Sequence, residues 1–292
     1  MFEILLTRLV NPIELRLKLP ACKWYVEEEG NNEDKEDDEE NDEDEENEDN
    51  RTFINLKLGD FKPPNLPKNV ISLKGKRLQV IVKLANIHLT PEKPSYPGGV
   101  WHVEGMLNER IVASGIYYYD MENITESRLS FRQAVAEPEY EQDDDRGCEH
   151  FYGLENGSAL TQELGYVCAE PGRLIVFPNV FQHKVEPFEL VDKTRPGHRK
   201  ILVFFLVDPT ISILSTERVP PQQNSWFFKE VCKIVPQIVM LPDLAKRCIQ
   251  EFLPMTLDEA KIFREELMKE RKYYIEDSNS TIFERPFSLC EH

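Results

Sequence analysis

The chain has 292 residues, and its 35 Lys and Arg against 53 Asp and Glu give a formal net charge of −18. Residues 27–50 hold 17 acidic residues and one lysine, so this tract carries nearly all of the excess and the remainder is close to neutral. A near-neutral body without clustered Lys and Arg argues against general nucleic-acid binding. The sequence has no run of about 18 apolar residues, so we predict no membrane span.

The first 60 residues divide into a short apolar segment and an acidic insert. Ile13, Leu15, Leu17 and Leu19 alternate with polar positions, which predicts a strand over 14–19. The tract over 27–50 contains no apolar residue and cannot bury surface, so we expect it to be disordered. One alternative is that the tract docks a basic protein partner.

A strand-rich region follows, and helical patterns come after it. Proline-rich residues 61–67 are typical of a linker. Strands are predicted over 77–89, 100–104, 110–119, 128–134, 166–180, 183–190 and 199–207, with a polar loop over 137–158 and poor helical signals before Pro220. Helices are predicted over 226–235, 243–252 and 257–274, the last opened by a Thr256–Glu259 capping box.

This order predicts a mainly β fold, a sandwich or barrel supported by C-terminal helices. The expected segments are an N-terminal strand segment, an acidic insert with linker, a β domain and a helical extension, at 1–26, 27–60, 61–225 and 226–292.

Two histidine motifs point to a metal site. His102 and Glu104 form an H-x-E pair, and residues i and i+2 of a strand point to the same face. His183 follows the run PGRLIVFPNVFQ on a later strand. Two imidazoles and one carboxylate on one face of a metal are typical of non-haem Fe(II) sites, which leave the opposite face open.

Arg199 adds a fixed cation at the start of the last strong strand. A guanidinium beyond the metal would bind the far carboxylate of a dicarboxylate co-substrate in bidentate fashion. Lys200 is predicted to point to the opposite face of that strand. Tyr117 and Tyr119 share a strand face near the expected site, so they are candidates to hydrogen-bond the co-substrate, although aromatic residues on strands are more often core.

The region from about Thr90 to Gln223 resembles the fungal domain of unknown function 4246 (DUF4246). The runs WHVEG, FPNVFQHKVEPF, PGHRKILVFFLVDP and VPPQQ carry the resemblance. That core is in turn similar to the Fe(II)- and 2-oxoglutarate-dependent dioxygenases, prolyl hydroxylases among them. The resemblance implies a double-stranded β-helix (a cupin-like jelly roll), with His102, Glu104 and His183 as iron ligands and Arg199 as the 2-oxoglutarate anchor. The substrate is left open.

The sequence departs from the dioxygenase pattern at two places. Glu104 stands where most such enzymes have Asp, and one more methylene lengthens the reach by about 1.5 Å. The spacing from His183 to Arg199 is also longer, with DKTRPGH as an extra loop. Two alternatives therefore stay open: an inactive β-helix binding module, and a cupin-like metalloenzyme that does not use 2-oxoglutarate.

The cysteines bear on the compartment. Six are scattered without a C-x-x-C pair, which argues against a zinc ribbon or a disulfide scaffold. The N-terminal residues lack a basic n-region and a small-residue cleavage site. We therefore expect a reducing compartment, the cytoplasm or the nucleus.

Overall fold

The structure is a computed structural model that describes residues 72–140, 145–220, 222–252 and 255–289. The strand predicted over 14–19, the acidic tract over 27–50 and the linker over 61–67 lie outside these residues. Nine strands are present in the described residues: β1 (Val80–Leu89), β2 (Ser95–Tyr96), β3 (Ile111–Glu122), β4 (Arg128–Ala134), β5 (Thr161–Cys168), β6 (Leu174–Pro178), β7 (Gln182–Val185), β8 (Phe188–Glu189) and β9 (Gly197–Val207).

Four α-helices accompany the strands in the described residues. They are α1 (Asp145–Tyr152), α2 (Asn224–Ile234), α3 (Asp243–Glu251) and α4 (Leu257–Ser278). Short 3₁₀ turns cover Leu107–Glu109 and Pro236–Met240, and a π turn over Asn279–Phe283 continues α4. No helix in the described ranges is both long enough and apolar enough to cross a membrane.

The described residues form two compact units. The larger comprises residues 72–134 and 161–285 within the described ranges, and it contains all nine strands with α2, α3 and α4. The smaller comprises residues 135–140, 145–160 and 286–289. It contains α1 and has its own apolar core of Val135, Cys148, Leu154, Leu160 and Phe287.

The strands of the larger unit pair antiparallel in three sheets. The four-stranded sheet has the order β1-β9-β3-β6, the three-stranded sheet has the order β5-β4-β7, and β2 pairs with β8. The main core joins the two larger sheets, since Tyr118, Phe177 and Phe205 from the first pack in one cluster with Leu129 and Phe131 from β4. The prediction of a mainly β fold with C-terminal helices is confirmed.

Four local predictions are wrong. The single strand predicted over 183–190 is two strands, β7 and β8, which belong to different sheets. The loop predicted over 137–158 contains α1, whose Gly147 and Cys148 are buried. The single strand predicted over 166–180 is two strands, β5 and β6, separated by a turn at Gly172, where φ is 84°. Residues 100–104 do not form a strand, because only His102 makes a β-bridge there.

Candidate metal centre

His102 and His183 lie directly opposite each other on neighbouring backbone segments. The amide of His183 donates to the carbonyl of His102 at 3.0 Å, and the amide of His102 donates back at 3.2 Å. Opposed residues of an antiparallel pair present their side chains to the same face. The two imidazole rings accordingly lie 4.4 Å apart, centroid to centroid.

Glu104 brings a carboxylate to the same place. Its Oε1 lies 3.3 Å from Nε2 of His183 and 3.9 Å from Nε2 of His102. Ligand atoms of all three residues lie within 4.8 Å of one another, so the group could hold a metal ion. Two ligand atoms that each lie about 2.1 Å from one ion, with a right angle between the two bonds, are about 3 Å apart. Oε1 of Glu104 and Nε2 of His102 would reach this spacing if they moved about one ångström closer together.

Asn179 fixes the backbone of Glu104. Its Oδ1 accepts from the Glu104 amide at 2.8 Å, and its Nδ2 donates to the Glu104 carbonyl at 2.8 Å and to the Ile111 carbonyl at 3.0 Å. The chain then turns at Gly105, whose φ is 74°. The strand expected at H-x-E is therefore replaced by a segment held by one buried side chain, and the carboxylate still reaches both histidines.

The ring nitrogens of His102 are arranged for ligation. Nδ1 lies 2.8 Å from the Val100 carbonyl, and because a carbonyl can only accept, Nδ1 carries the proton. Burial first, and the His183 ring second, lower the pKa of His102. The ring is therefore neutral near pH 7, and its Nε2 lone pair faces Glu104.

Glu104 is ionised at neutral pH. Burial raises its pKa, but the hydrogen bond with His183 and the electrostatic influence of the two imidazole rings outweigh burial and bring the pKa below its ordinary value. His183 is 3 % exposed and packs edge-on against Phe177 at 4.9 Å. The group thus offers two imidazole nitrogens and one carboxylate, a donor set that fits Fe(II) and other divalent transition metals.

Arg199 lies on the inner face of β9 and is 3 % exposed. Its guanidinium packs over the ring of Tyr118, 5.0 Å from the centroid, and donates to the Tyr118 hydroxyl at 3.3 Å. Its Nε has no hydrogen bond, and no carboxylate in the described part of the chain pairs with it. Lys200 lies on the other face and pairs with Asp120 at 2.7 Å.

The two predicted tyrosines do not lie on the Arg199 side. Tyr117 and Tyr119 are 37 % and 40 % exposed on the outer face of β3, and the Tyr119 hydroxyl donates to Asn86. Tyr118 is fully buried and lies on the Arg199 side, where the sequence pattern predicts Tyr117 and Tyr119. Because Tyr118 pairs with Ile201, two residues beyond Arg199, it shares the inner face with the guanidinium.

The extra loop before Arg199 is held by the side chain of Asn123. Asn123 donates to the carbonyls of Asp192, Arg195 and Pro196 and accepts from the Asp192 amide, which fixes the loop after β8. Arg199 then pairs with Ile87 on β1 and Met121 on β3.

Sequence reasoning missed Tyr118 and Asn179. The alternation Ile116, Tyr118 in β3 carries the signal for Tyr118, and an amide side chain directly after Pro178 at a strand end is the signal for Asn179.

Comparisons with known proteins give one family assignment. The chain is similar to hydroquinone 1,2-dioxygenase PnpCD, solved in complex with Cd²⁺ and 4-hydroxybenzonitrile, at 16 % identity over 49 % of this chain and 67 % of that chain, with a TM-score of 0.22. It is also similar to a chain from disulfide-linked pili of Bacillus endospore appendages, at 9 % identity over 48 % of this chain and 99 % of that chain, with a TM-score of 0.19. At these TM-scores neither similarity indicates the fold or the function of this chain. No curated protein matches the chain.

The family model described as protein of unknown function (DUF4246) matches residues 2–230, which is more than half of the chain. The resemblance expected from WHVEG and FPNVFQHKVEPF is confirmed for the family, while the fungal source stays a prediction. The chain belongs to the DUF4246 family.

Proposed function

We propose that this protein is an Fe(II)- and 2-oxoglutarate-dependent oxygenase that hydroxylates a C–H bond of a substrate still to be identified. The observation that carries the proposal is the buried guanidinium of Arg199, which has no carboxylate partner in the described residues and is linked to the His102–Glu104–His183 group through one apolar cluster. Tyr118, which contacts Arg199, lies in the same apolar cluster as Phe177, which contacts His183.

The proposed fold is a double-stranded β-helix, and the pairing pattern supports it. β4 pairs with β5, β3 pairs with β6, the His102 segment pairs with β7, and β1 pairs with β9. Each pair encloses the one before it along the chain. A long antiparallel ribbon nested in this way is the pattern of a jelly roll.

The three ligand side chains would hold the metal on one side. His102 Nε2, Glu104 and His183 Nε2 would bind it, while the Val100 carbonyl keeps His102 in the required tautomer. Bound there, Fe(II) supplies activation of O₂ coupled to the oxidative decarboxylation of 2-oxoglutarate.

Arg199 would bind the distal carboxylate of 2-oxoglutarate. A buried cation without an anion is costly, and a carboxylate of the bound co-substrate would supply the missing counter-charge. The Tyr118 ring and hydroxyl hold the guanidinium in place, and the surrounding apolar cluster excludes water from that end of the site.

An anaerobic titration tests the proposal. Metal-free protein is titrated with Fe(II) and 2-oxoglutarate, and the metal-to-ligand charge-transfer band is recorded for the wild type, His102→Ala and Arg199→Ala. His198→Ala is the matched control, since His198 precedes Arg199 on β9 but pairs with Asp120 on the outer face.

We expect a band in the wild type and in His198→Ala, no band in His102→Ala, and a much higher 2-oxoglutarate requirement in Arg199→Ala. Metal binding without any response to 2-oxoglutarate would favour the cupin-like alternative. No metal binding in the wild type would leave an inactive binding module, in which deletion of residues 31–50 should weaken capture of a basic partner.

A further inference from the structure

A continuous chain of hydrogen bonds runs from the C-terminal π turn to both histidine-bearing segments. Arg132 on β4 donates to Glu284 at 2.6 Å and to Oε1 of Gln182 at 2.7 Å. Gln182 donates through Nε2 to Oδ1 of Asn279 at 2.5 Å, and Asn279 donates through Nδ2 to the carbonyl of Trp101 at 3.0 Å.

The direction of this chain is fixed at every link. Arg132 can only donate, so the Gln182 oxygen must face it and the Gln182 amide nitrogen must face Asn279. The Trp101 carbonyl can only accept, so the Asn279 nitrogen must face Trp101. Asn279 therefore uses its donor and its acceptor on two different segments, and neither amide can flip without losing both bonds.

The two partners of Asn279 directly precede the two histidine ligands. Trp101 comes immediately before His102, and Gln182, which is 1 % exposed, comes immediately before His183. The Trp101 ring also contacts two cations, with the Arg132 guanidinium 4.7 Å and the Lys184 ammonium 4.8 Å from its centroid. A shift of Asn279 would therefore move both histidines relative to each other.

The same helix also supports the segment after Glu104. Arg271 on α4 donates to Glu109 at 2.7 Å, and the second carboxylate oxygen of Glu109 accepts from the Met106 amide at 2.9 Å. This contact holds the turn that follows Gly105. The C-terminal helix thus contacts the ligand-bearing segments on both sides of His102 and Glu104.

We propose that Asn279 is a positioning residue for the metal centre, which sets the spacing of His102 and His183 through Trp101 and Gln182. The proposal rests on the metal site of the proposed function. Asn279 lies beyond residues 2–230, the part that matches the family model, so the helical extension completes the site. Partners that orient metal ligands typically change metal affinity 10- to 100-fold when removed.

The test uses the full-length protein and Co(II), whose d–d absorption reports ligand geometry. Asn279→Leu keeps the side-chain shape and removes both hydrogen bonds, and Asn279→Asp keeps only the acceptor for Gln182. Ser280→Ala is the matched control, because the Ser280 hydroxyl donates only to the Asp277 carbonyl within the same turn. Each variant is checked for folding by urea denaturation.

We expect Asn279→Leu to bind Co(II) about 10- to 100-fold more weakly with a changed d–d spectrum, Asn279→Asp to be intermediate, and Ser280→Ala to match the wild type. Wild-type affinity and spectrum in folded Asn279→Leu would overturn the proposal while leaving the metal site intact. Absence of Co(II) binding in the wild type would overturn the site itself. If Asn279→Leu does not fold, Gln182→Met breaks the same link from the other side and decides by the same two outcomes.

Discussion

Arg199 combines burial with a charge that no carboxylate in the described residues neutralises. The residue is 3 % exposed, its guanidinium contacts aromatic rings, and its hydrogen bond within the described residues is one of 3.3 Å to a neutral hydroxyl. Proteins retain such an arrangement at a cost in stability when a ligand supplies the missing anion. Arg199 should therefore lower the free energy of unfolding of the ligand-free protein and raise that of the ligand-bound protein.

The substitution Arg199→Met tests this reading. Replacing a buried charge by an apolar side chain of similar length should raise the free energy of unfolding of the ligand-free protein by about 1 to 4 kcal/mol. With Fe(II) already bound, the wild type should gain further stability from 2-oxoglutarate, about 2.7 kcal/mol at a hundred times its Kd, and the variant should gain much less at the same concentration. Urea denaturation with and without the ligands measures both effects. A less stable variant in the ligand-free state would show that Arg199 has an anionic partner in the protein.

Sequence patterns predicted which site residues share a face, but not always which face points inward. His102 and Glu104 share a side as expected, although Asn179 and not a strand holds them there. Alternation in β3 correctly places Tyr117 and Tyr119 on one face, but apolar and aromatic side chains occur at both parities of IVASGIYYY, so alternation alone cannot tell which face is inside. Pairing of Tyr118 with Ile201 on β9 decides it, and that contact is non-local.

At the scale of elements, boundaries were predictable where local chemistry specifies them. The start of α4 is such a case, since Thr256 accepts from the Glu259 amide at 3.2 Å and Glu259 accepts from the Thr256 amide at 2.7 Å. Helix α1 is the opposite case. It is eight residues long and includes Gly147, so its propensity is poor and its formation depends on burying Cys148 beside Phe287.

The capping box of α4 should contribute measurably to stability. Thr256→Ala leaves the Glu259 amide without its acceptor and should lower the free energy of unfolding by about 1 kcal/mol. Thr256→Ser retains the hydroxyl and should stay near the wild-type value. Urea denaturation of the three proteins measures the difference, and equal losses in both variants would show that the Thr256 methyl group, not the cap, is what matters.

For the whole molecule, the nested strand pairing explains how residues distant in sequence meet. Residues 102 and 183 are 81 positions apart, yet they become neighbours because β3 to β6 form a folded ribbon between them. Strand identity could be predicted from composition and alternation. The order β1-β9-β3-β6 could not, because each pairing depends on contacts between segments far apart in the chain.

Acid stability is a whole-molecule property to which the outer face of the sheet contributes. The hydrogen bond from Lys200, and then that from His198, lower the pKa of Asp120. A carboxyl whose pKa is lower in the folded state stabilises the fold above its unfolded pKa, and this contribution disappears as the pH falls through the folded value. The effect should therefore be complete at pH 7 and decline below about pH 4.

Asp120→Asn should be less stable than the wild type at pH 7, and the gap should shrink as the pH falls from about 4 to 2. Lys200→Met removes the largest cause of the lowered pKa of Asp120. It should therefore reduce the pH dependence of stability over the same range of pH. Urea midpoints across this range measure both variants. A gap that is independent of pH would mean that the Asp120 carboxylate is not differentially ionised in the folded state.

The proposed function requires that His102, Glu104 and His183 bind one metal ion. Anomalous diffraction at the iron edge, from crystals prepared anaerobically with Fe(II), locates the bound metal and the side chains around it. We expect one strong peak per chain, about 2.0–2.2 Å from both Nε2 atoms and from a Glu104 oxygen. A peak coordinated by other side chains, or no peak beside these three residues at saturating Fe(II), would contradict the claim.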